Sequence, residues 1–130
     1  MIAFDYGATL RLSDGSPALR ELVKHFNEAG EPVCIVSAIG TDDREHWQKI
    51  ITREIEHLTS QDGTPLRFEA IRFVYYPANP TPDDMVRAGD DKAREMKSLR
   101  ATLIFDDSPH VCEGVRRSGL FAVNHRPEKP

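Results

Sequence analysis

Thr102–Val111 reads TLIFDDSPHV: an apolar run, two adjacent carboxylates, then Ser108 and Pro109 ahead of a second apolar pattern. A short run of apolar residues without polar alternation suits a strand covered on both faces, as in a parallel sheet. Ser108 is placed to cap a helix that Pro109 begins, since proline at the first helical position gives up no hydrogen bond. The stretch is therefore a strand, an acidic pair and a helix start. The acids fall at the carboxyl end of the strand, where open α/β sheets bind their ligands.

The first ten residues, MIAFDYGATL, repeat the theme, with Asp5 after an apolar run. Working outward, five runs read as strands: Ile2–Tyr6, Val33–Ala38, Ile71–Tyr76, Thr102–Asp106 and Leu120–Asn124. Helical patterns lie between most of them. Ser16 and Pro17 open a helix with Leu19, Leu22, Val23 and Phe26 on one stripe, ended by Gly30. Thr41 is the expected cap of a second, with Trp47, Ile50, Ile51, Ile55 and Leu58 inward. A third is expected from about Asp90 to Arg100, with Ala93, Met96 and Leu99 inward. The fourth carries Val111, Cys112 and Val115 and stops at Gly119. Ser60–Arg67 and the proline-rich Pro77–Asp84 read as loops. Alternating strands and helices predict a three-layer α/β/α sandwich around a five-stranded parallel sheet, Rossmann-like in plan. Residues 1–126 are expected to form one domain, with 127–130 a frayed tail.

The chain has 130 residues, 39% of them hydrophobic and 29% charged, with a net charge of -4. That balance predicts no bulk attraction to nucleic acid or to an anionic membrane; a local patch that reads a nucleic-acid end is left open. No apolar run approaches the ~20 residues of a membrane span. With only Cys34 and Cys112, both in apolar patterns, buried free thiols are expected, and the chain reads as reduced and cytoplasmic. His25, His46, His57, His110 and His125 lack the spacing of metal ligands and are expected at the surface, His110 lying nearest the acidic pair.

Taken in order, the sheet edge is offered Asp5, Ser37, Lys92 and Asp106–Asp107. Carboxylates, a hydroxyl and an ammonium suit phosphoryl transfer, which needs a nucleophile and charge neutralisation. Each also has a plainer use: Asp5 as a turn residue, Asp107 as a helix-start residue, Lys92 as a solvated helix charge.

This ordered set resembles the haloacid dehalogenase-like (HAD) phosphohydrolase superfamily over almost the whole chain. That family's first motif is a strand followed by Asp-x-Asp-Gly-Thr, matched here by Asp5-Tyr6-Gly7-Ala8-Thr9. Its second motif is a Ser or Thr, matched by Ser37. The third is a lysine, for which Lys92 is the candidate and Lys97 the fallback. The fourth is an acidic pair, matched by Asp106–Asp107. The resemblance implies Mg²⁺ held by Asp5, Asp106, Asp107 and the backbone carbonyl of Gly7. It further implies Asp5 as the nucleophile that becomes an aspartyl phosphate, with Ser37 and Lys92 binding the phosphoryl group.

One position departs from the family pattern. Gly7 stands where the family carries the Asp that protonates the leaving group and later activates water. General acid–base catalysis is worth roughly 10²–10⁴-fold, so the resemblance implies a phosphatase with altered or weak turnover. The alternative is a pseudoenzyme that keeps the pocket for binding or regulation. A gapped alignment would instead pair Gly7 with the family glycine. The ungapped one is preferred because it keeps the Asp5-to-Thr9 spacing.

The connections leave no room for a cap domain, and a capless site admits a bulky phosphorylated substrate, either a macromolecular end or a protein phosphoester. Asp90–Lys97 and Leu103–Arg126 are also similar, loosely, to the phosphatase domain of polynucleotide kinase-phosphatases. A phospho-receiver domain is disfavoured, because its acceptor Asp should follow the third strand, where this chain has Tyr75-Tyr76-Pro77.

Overall fold

The computed structural model describes residues 1–126, so the expected 127–130 tail lies outside the described residues. Five parallel strands form one sheet in the order β3-β2-β1-β4-β5: β1 (Ile2–Phe4), β2 (Val33–Gly40), β3 (Ala70–Tyr76), β4 (Leu103–Asp106) and β5 (Phe121–Asn124). Four helices connect them: α1 (Pro17–Glu28), α2 (Arg44–Glu56), α3 (Pro82–Ser98) and α4 (Pro109–Arg117). The three-layer α/β/α architecture is the one the sequence predicts.

Alternation along the strands divides the core in two. Phe4 and Ile35 pack with Val23 of α1 and Ile51 and Ile55 of α2 on one face. Ala3, Cys34, Val36 and Ile104 pack with Met96 of α3 and Val115 of α4 on the other. Every central strand is thus buried on both sides, which is why its sequence is apolar without a polar stripe. Cys34 and Cys112 are buried free thiols, as expected.

Three local expectations are corrected. The third helix starts at Pro82, eight residues before Asp90. Thr81 accepts from the amide of Asp84 while Asp84 accepts from the amide of Thr81, and Pro82 takes the first helical position. The proline-rich segment is thus partly a reciprocal cap, not wholly a loop.

The second helix is not capped by Thr41. Asp43, at φ 57°, precedes it without a side-chain cap, and Thr41 instead bonds the carbonyl of Tyr76, tying the end of β2 to β3. Trp47, expected in the core, is 44% exposed, because the first turn of α2 lies at the carboxyl edge of the sheet while Ile51 and Ile55 lie over it.

The α3–α4 crossing fixes the side of the sheet that carries Lys92. Gly89 and Gly114 face each other there: a Cβ on Gly89 would fall 2.2 Å from the carbonyl oxygen of Val111. Only hydrogen at these positions lets the two backbones meet. Among the described residues no domain is inserted between the elements, and no helix is long and apolar enough to cross a membrane.

Candidate functional site

The site follows from sheet register. Phe4 of β1 pairs with Phe105 of β4, so the next residues, Asp5 and Asp106, leave adjacent strands side by side. Both continue the face that α3 covers. Lys92, one turn beyond the Gly89 crossing, reaches them: Nζ donates to Asp5 Oδ1 at 2.9 Å and to Asp106 Oδ2 at 2.7 Å. All three are buried, Lys92 and Asp106 at 1% exposure and Asp5 at 7%. Asp107 is half-buried beside them, and one oxygen from each of Asp5, Asp106 and Asp107 lies within 4.8 Å of the others. Asp106 also accepts from the amide of Ser108, which couples the acidic pair to the capped start of α4.

Burial sets the electrostatics. It raises the Asp5 carboxyl to about 6, against the opposing pull of Lys92. It raises Asp106 and Asp107 as well. Burial works against the Lys92 ammonium, yet Asp106 and Asp5 together outweigh it and hold its proton more firmly than in water. Three carboxylates face one ammonium, an imbalance that a hard divalent cation would correct with all-oxygen donors. Asp5, Asp106 and Asp107 are the side chains that could hold such a cation.

The cluster forms the floor of a cavity of about 490 Å³ lined also by Gly7, Arg11 and Ser37. Ser37 is buried and lies within β2, which continues three residues past it to Gly40. Trp47 of α2, Tyr76 at the end of β3 and Met85 of α3 also line it and give it an apolar portion. Lys97 is exposed on another face of α3 and makes no contact with the cluster, leaving Lys92 as the lysine of the site.

Two participants were not expected. Thr9, completely buried, approaches Asp5 Oδ2 at 3.3 Å and His125 Nε2 at 2.8 Å. The hydroxyl has one hydrogen; donating it to Asp5 leaves its oxygen to accept from His125, so the imidazole carries its hydrogen on Nε2. His125 is accordingly not a surface residue: it is half-buried, and burial lowers its pKa. The predicted end of the last strand at Asn124 could have placed it, since the residue after any of these parallel strands arrives at the same sheet edge. His110, the histidine nearest the acidic pair in sequence, is exposed.

Position 7 has room. A Cβ there would meet only the Arg11 guanidinium, at 3.7 and 3.9 Å. Arg11 itself is held by two hydrogen bonds to Asp14, from Nε and Nη2. Ala8, not Gly7, takes the left-handed conformation, at φ 58°. No protein-family model and no curated protein matches the chain.

Proposed function

We propose that the protein is a HAD-like, Mg²⁺-dependent phosphohydrolase of altered or weak turnover, working through an aspartyl phosphate. The single observation that carries this reading is the bridging of Asp5 and Asp106 by buried Lys92, with Asp107 alongside. An isolated acidic cluster is common. A buried lysine that aligns two strand-end carboxylates at the floor of a cavity suits an anionic group that must be both neutralised and attacked.

Asp5 attacks the phosphorus in line with the departing oxygen. Lys92 keeps the Asp5 carboxylate oriented and neutralises the phosphoryl group, and Ser37 donates to its oxygens. Thr9 fixes the second Asp5 oxygen, itself steadied by His125. Asp5, Asp106, Asp107 and the Gly7 carbonyl would hold Mg²⁺, which would supply the charge stabilisation that one lysine does not. The left-handed backbone at position 8 supports the ungapped match, because the conformation that favours glycine falls where the family motif has its glycine.

Gly7 favours a second reading, a pocket that binds phosphate without turning it over. Wild type and Asp5→Asn, assayed with Mg²⁺ on a panel of phosphate monoesters and anhydrides, separate the two. Metal-dependent turnover abolished by Asp5→Asn supports the hydrolase. Turnover unchanged by Asp5→Asn overturns its mechanism. Tight vanadate binding with no turnover supports the binding protein.

A further inference from the structure

Arg11 occupies the neighbourhood that an acid at position 7 would fill. Its guanidinium lies 3.7 Å from where a Cβ on Gly7 would be, and both residues line the cavity that holds Asp5. Its side chain is anchored and not wandering: Asp14 takes Nε and one hydrogen of Nη2, while the same carboxylate accepts from the amide of Ala8. Among the described residues the other guanidinium hydrogens, two on Nη1 and one on Nη2, have no partner. The Gly7 side of the cavity thus presents a fixed, permanent cation with donors to spare.

We propose that Arg11 takes the place of the absent acid by pairing with the departing group as an anion, which selects phosphoanhydrides, whose leaving group is itself a phosphate. This rests on the hydrolase reading of the same cavity. In the first step an Asp5 carboxylate oxygen bonds to phosphorus, and the bond from phosphorus to the bridging oxygen breaks. Its electron pair stays on the leaving phosphate, which takes no proton and departs against the guanidinium. In the second step water bonds to phosphorus, the bond to Asp5 breaks with its electron pair returned to the carboxylate, and the water proton passes to the inorganic phosphate released. An alkyl ester fits this arrangement poorly, because an alkoxide needs the proton that Gly7 does not provide. Guanidinium suits the role better than ammonium, since its planar fork pairs with phosphate oxygens two at a time and it stays charged at any working pH.

The test compares pyrophosphate with glycerol 2-phosphate in Mg²⁺, in wild type, Arg11→Gln and Arg11→Lys, with vanadate binding measured by calorimetry in parallel. Wild type is expected to favour pyrophosphate by at least ~10²-fold in kcat/KM, the lower bound for a missing general acid. Arg11→Gln should lower the pyrophosphate value ~10- to 100-fold and the glycerol phosphate value much less, with Arg11→Lys between. Vanadate affinity should change by less than about threefold, because Ser37 and Lys92 hold the group it mimics. Equal losses on both substrates, or vanadate affinity lost with Arg11, would overturn the assignment. Comparable wild-type rates on the two substrates would sink the assignment while leaving the hydrolase reading intact. Turnover of neither would remove both.

Discussion

The amide of Ala8, at φ 58°, donates to Asp14 Oδ1 at 3.1 Å, and that same carboxylate grips Arg11. One acid therefore holds both a left-handed turn beside Asp5 and the cation that faces Gly7. An L-residue other than glycine pays about 1–2 kcal/mol in that conformation. Part of this is offset because alanine has less freedom to lose on folding.

Ala8→Gly should accordingly raise stability by about 1 kcal/mol. Urea unfolding should show a higher midpoint with an unchanged slope. An unchanged or lowered midpoint would mean that the turn carries no strain.

Gly7→Asp alone is expected to restore little turnover of alkyl phosphates. The cavity admits the side chain, but its carboxylate would meet the Arg11 guanidinium and be held ionised as a pair, unable to donate a proton. Gly7→Asp combined with Arg11→Gln should raise kcat for glycerol 2-phosphate by more than tenfold over the single variant, towards the ~10²–10⁴ range of general acid catalysis. Equal activity of the single and double variants would count against the pairing.

Lys92→Met leaves Asp5, Asp106 and Asp107 without their ammonium. Breaking a buried pair of this kind costs about 3–5 kcal/mol. Chemical unfolding of the metal-free protein should show that loss at neutral pH, and saturating Mg²⁺ should recover part of it by mass action. Absence of any Mg²⁺ rescue would argue that the carboxylates do not share a cation.

The raised Asp5 carboxyl gives stability a definite dependence on pH. Its folded value of about 6 lies above the ordinary 3.8, so between roughly pH 4 and 6 the folded chain keeps a proton that the unfolded chain has released. Its contribution is complete below about pH 4 and is lost as pH rises through 6, and Asp106 and Asp107 act in the same direction. Metal-free unfolding at pH 4, 5 and 6 should show stability falling across the series, with a shallower fall in Asp5→Asn. Mg²⁺ affinity should run the opposite way and strengthen with pH, because its ligands must shed their protons.

Gly89→Ala tests the helix crossing. The added carbon would sit 2.2 Å from a backbone oxygen and 2.9 Å from the Gly114 Cα, neither of which can swing aside. Overpacking should cost about 3 kcal/mol or more, and the shift of α3 should also draw Lys92 off the carboxylates, seen as weakened Mg²⁺ binding.

The fold was legible because buried parallel strands write themselves as unbroken apolar runs, and because Ser16–Pro17 and Ser108–Pro109 are caps in plain form. The meeting of Asp5, Ser37, Lys92, Asp106 and Asp107 around one cavity was legible for a related reason: strand ends and a helix facing them leave little freedom in where side chains go. Thr81–Pro82 was misread since three prolines in Pro77–Pro82 mask a cap that depends on the reciprocal Asp84 bonds. Trp47 looked like core because periodicity reports which side of a helix is apolar, not how far the helix overhangs the sheet. Arg11 has no such pattern, and His125 has only its place one residue past a predicted strand end. Their positions depend on the path of the turn from Tyr6 to Ser16 and on the strand order, which places β5 beside β4.

The central place of β1 has a consequence for synthesis. Asp5 leaves the ribosome well ahead of its partner Lys92, which lies 87 positions later, and Asp106 is later still. Until β4 emerges, one edge of β1 is bare and its carboxylate has neither ammonium nor companion acids. A nascent chain can form β1, α1 and β2 early, but it holds no trace of the Asp5–Lys92–Asp106 cluster until β4 has been made. Mg²⁺ protection against proteolysis would therefore report only chains in which β4 has docked beside β1, and would serve as a stringent marker of that step.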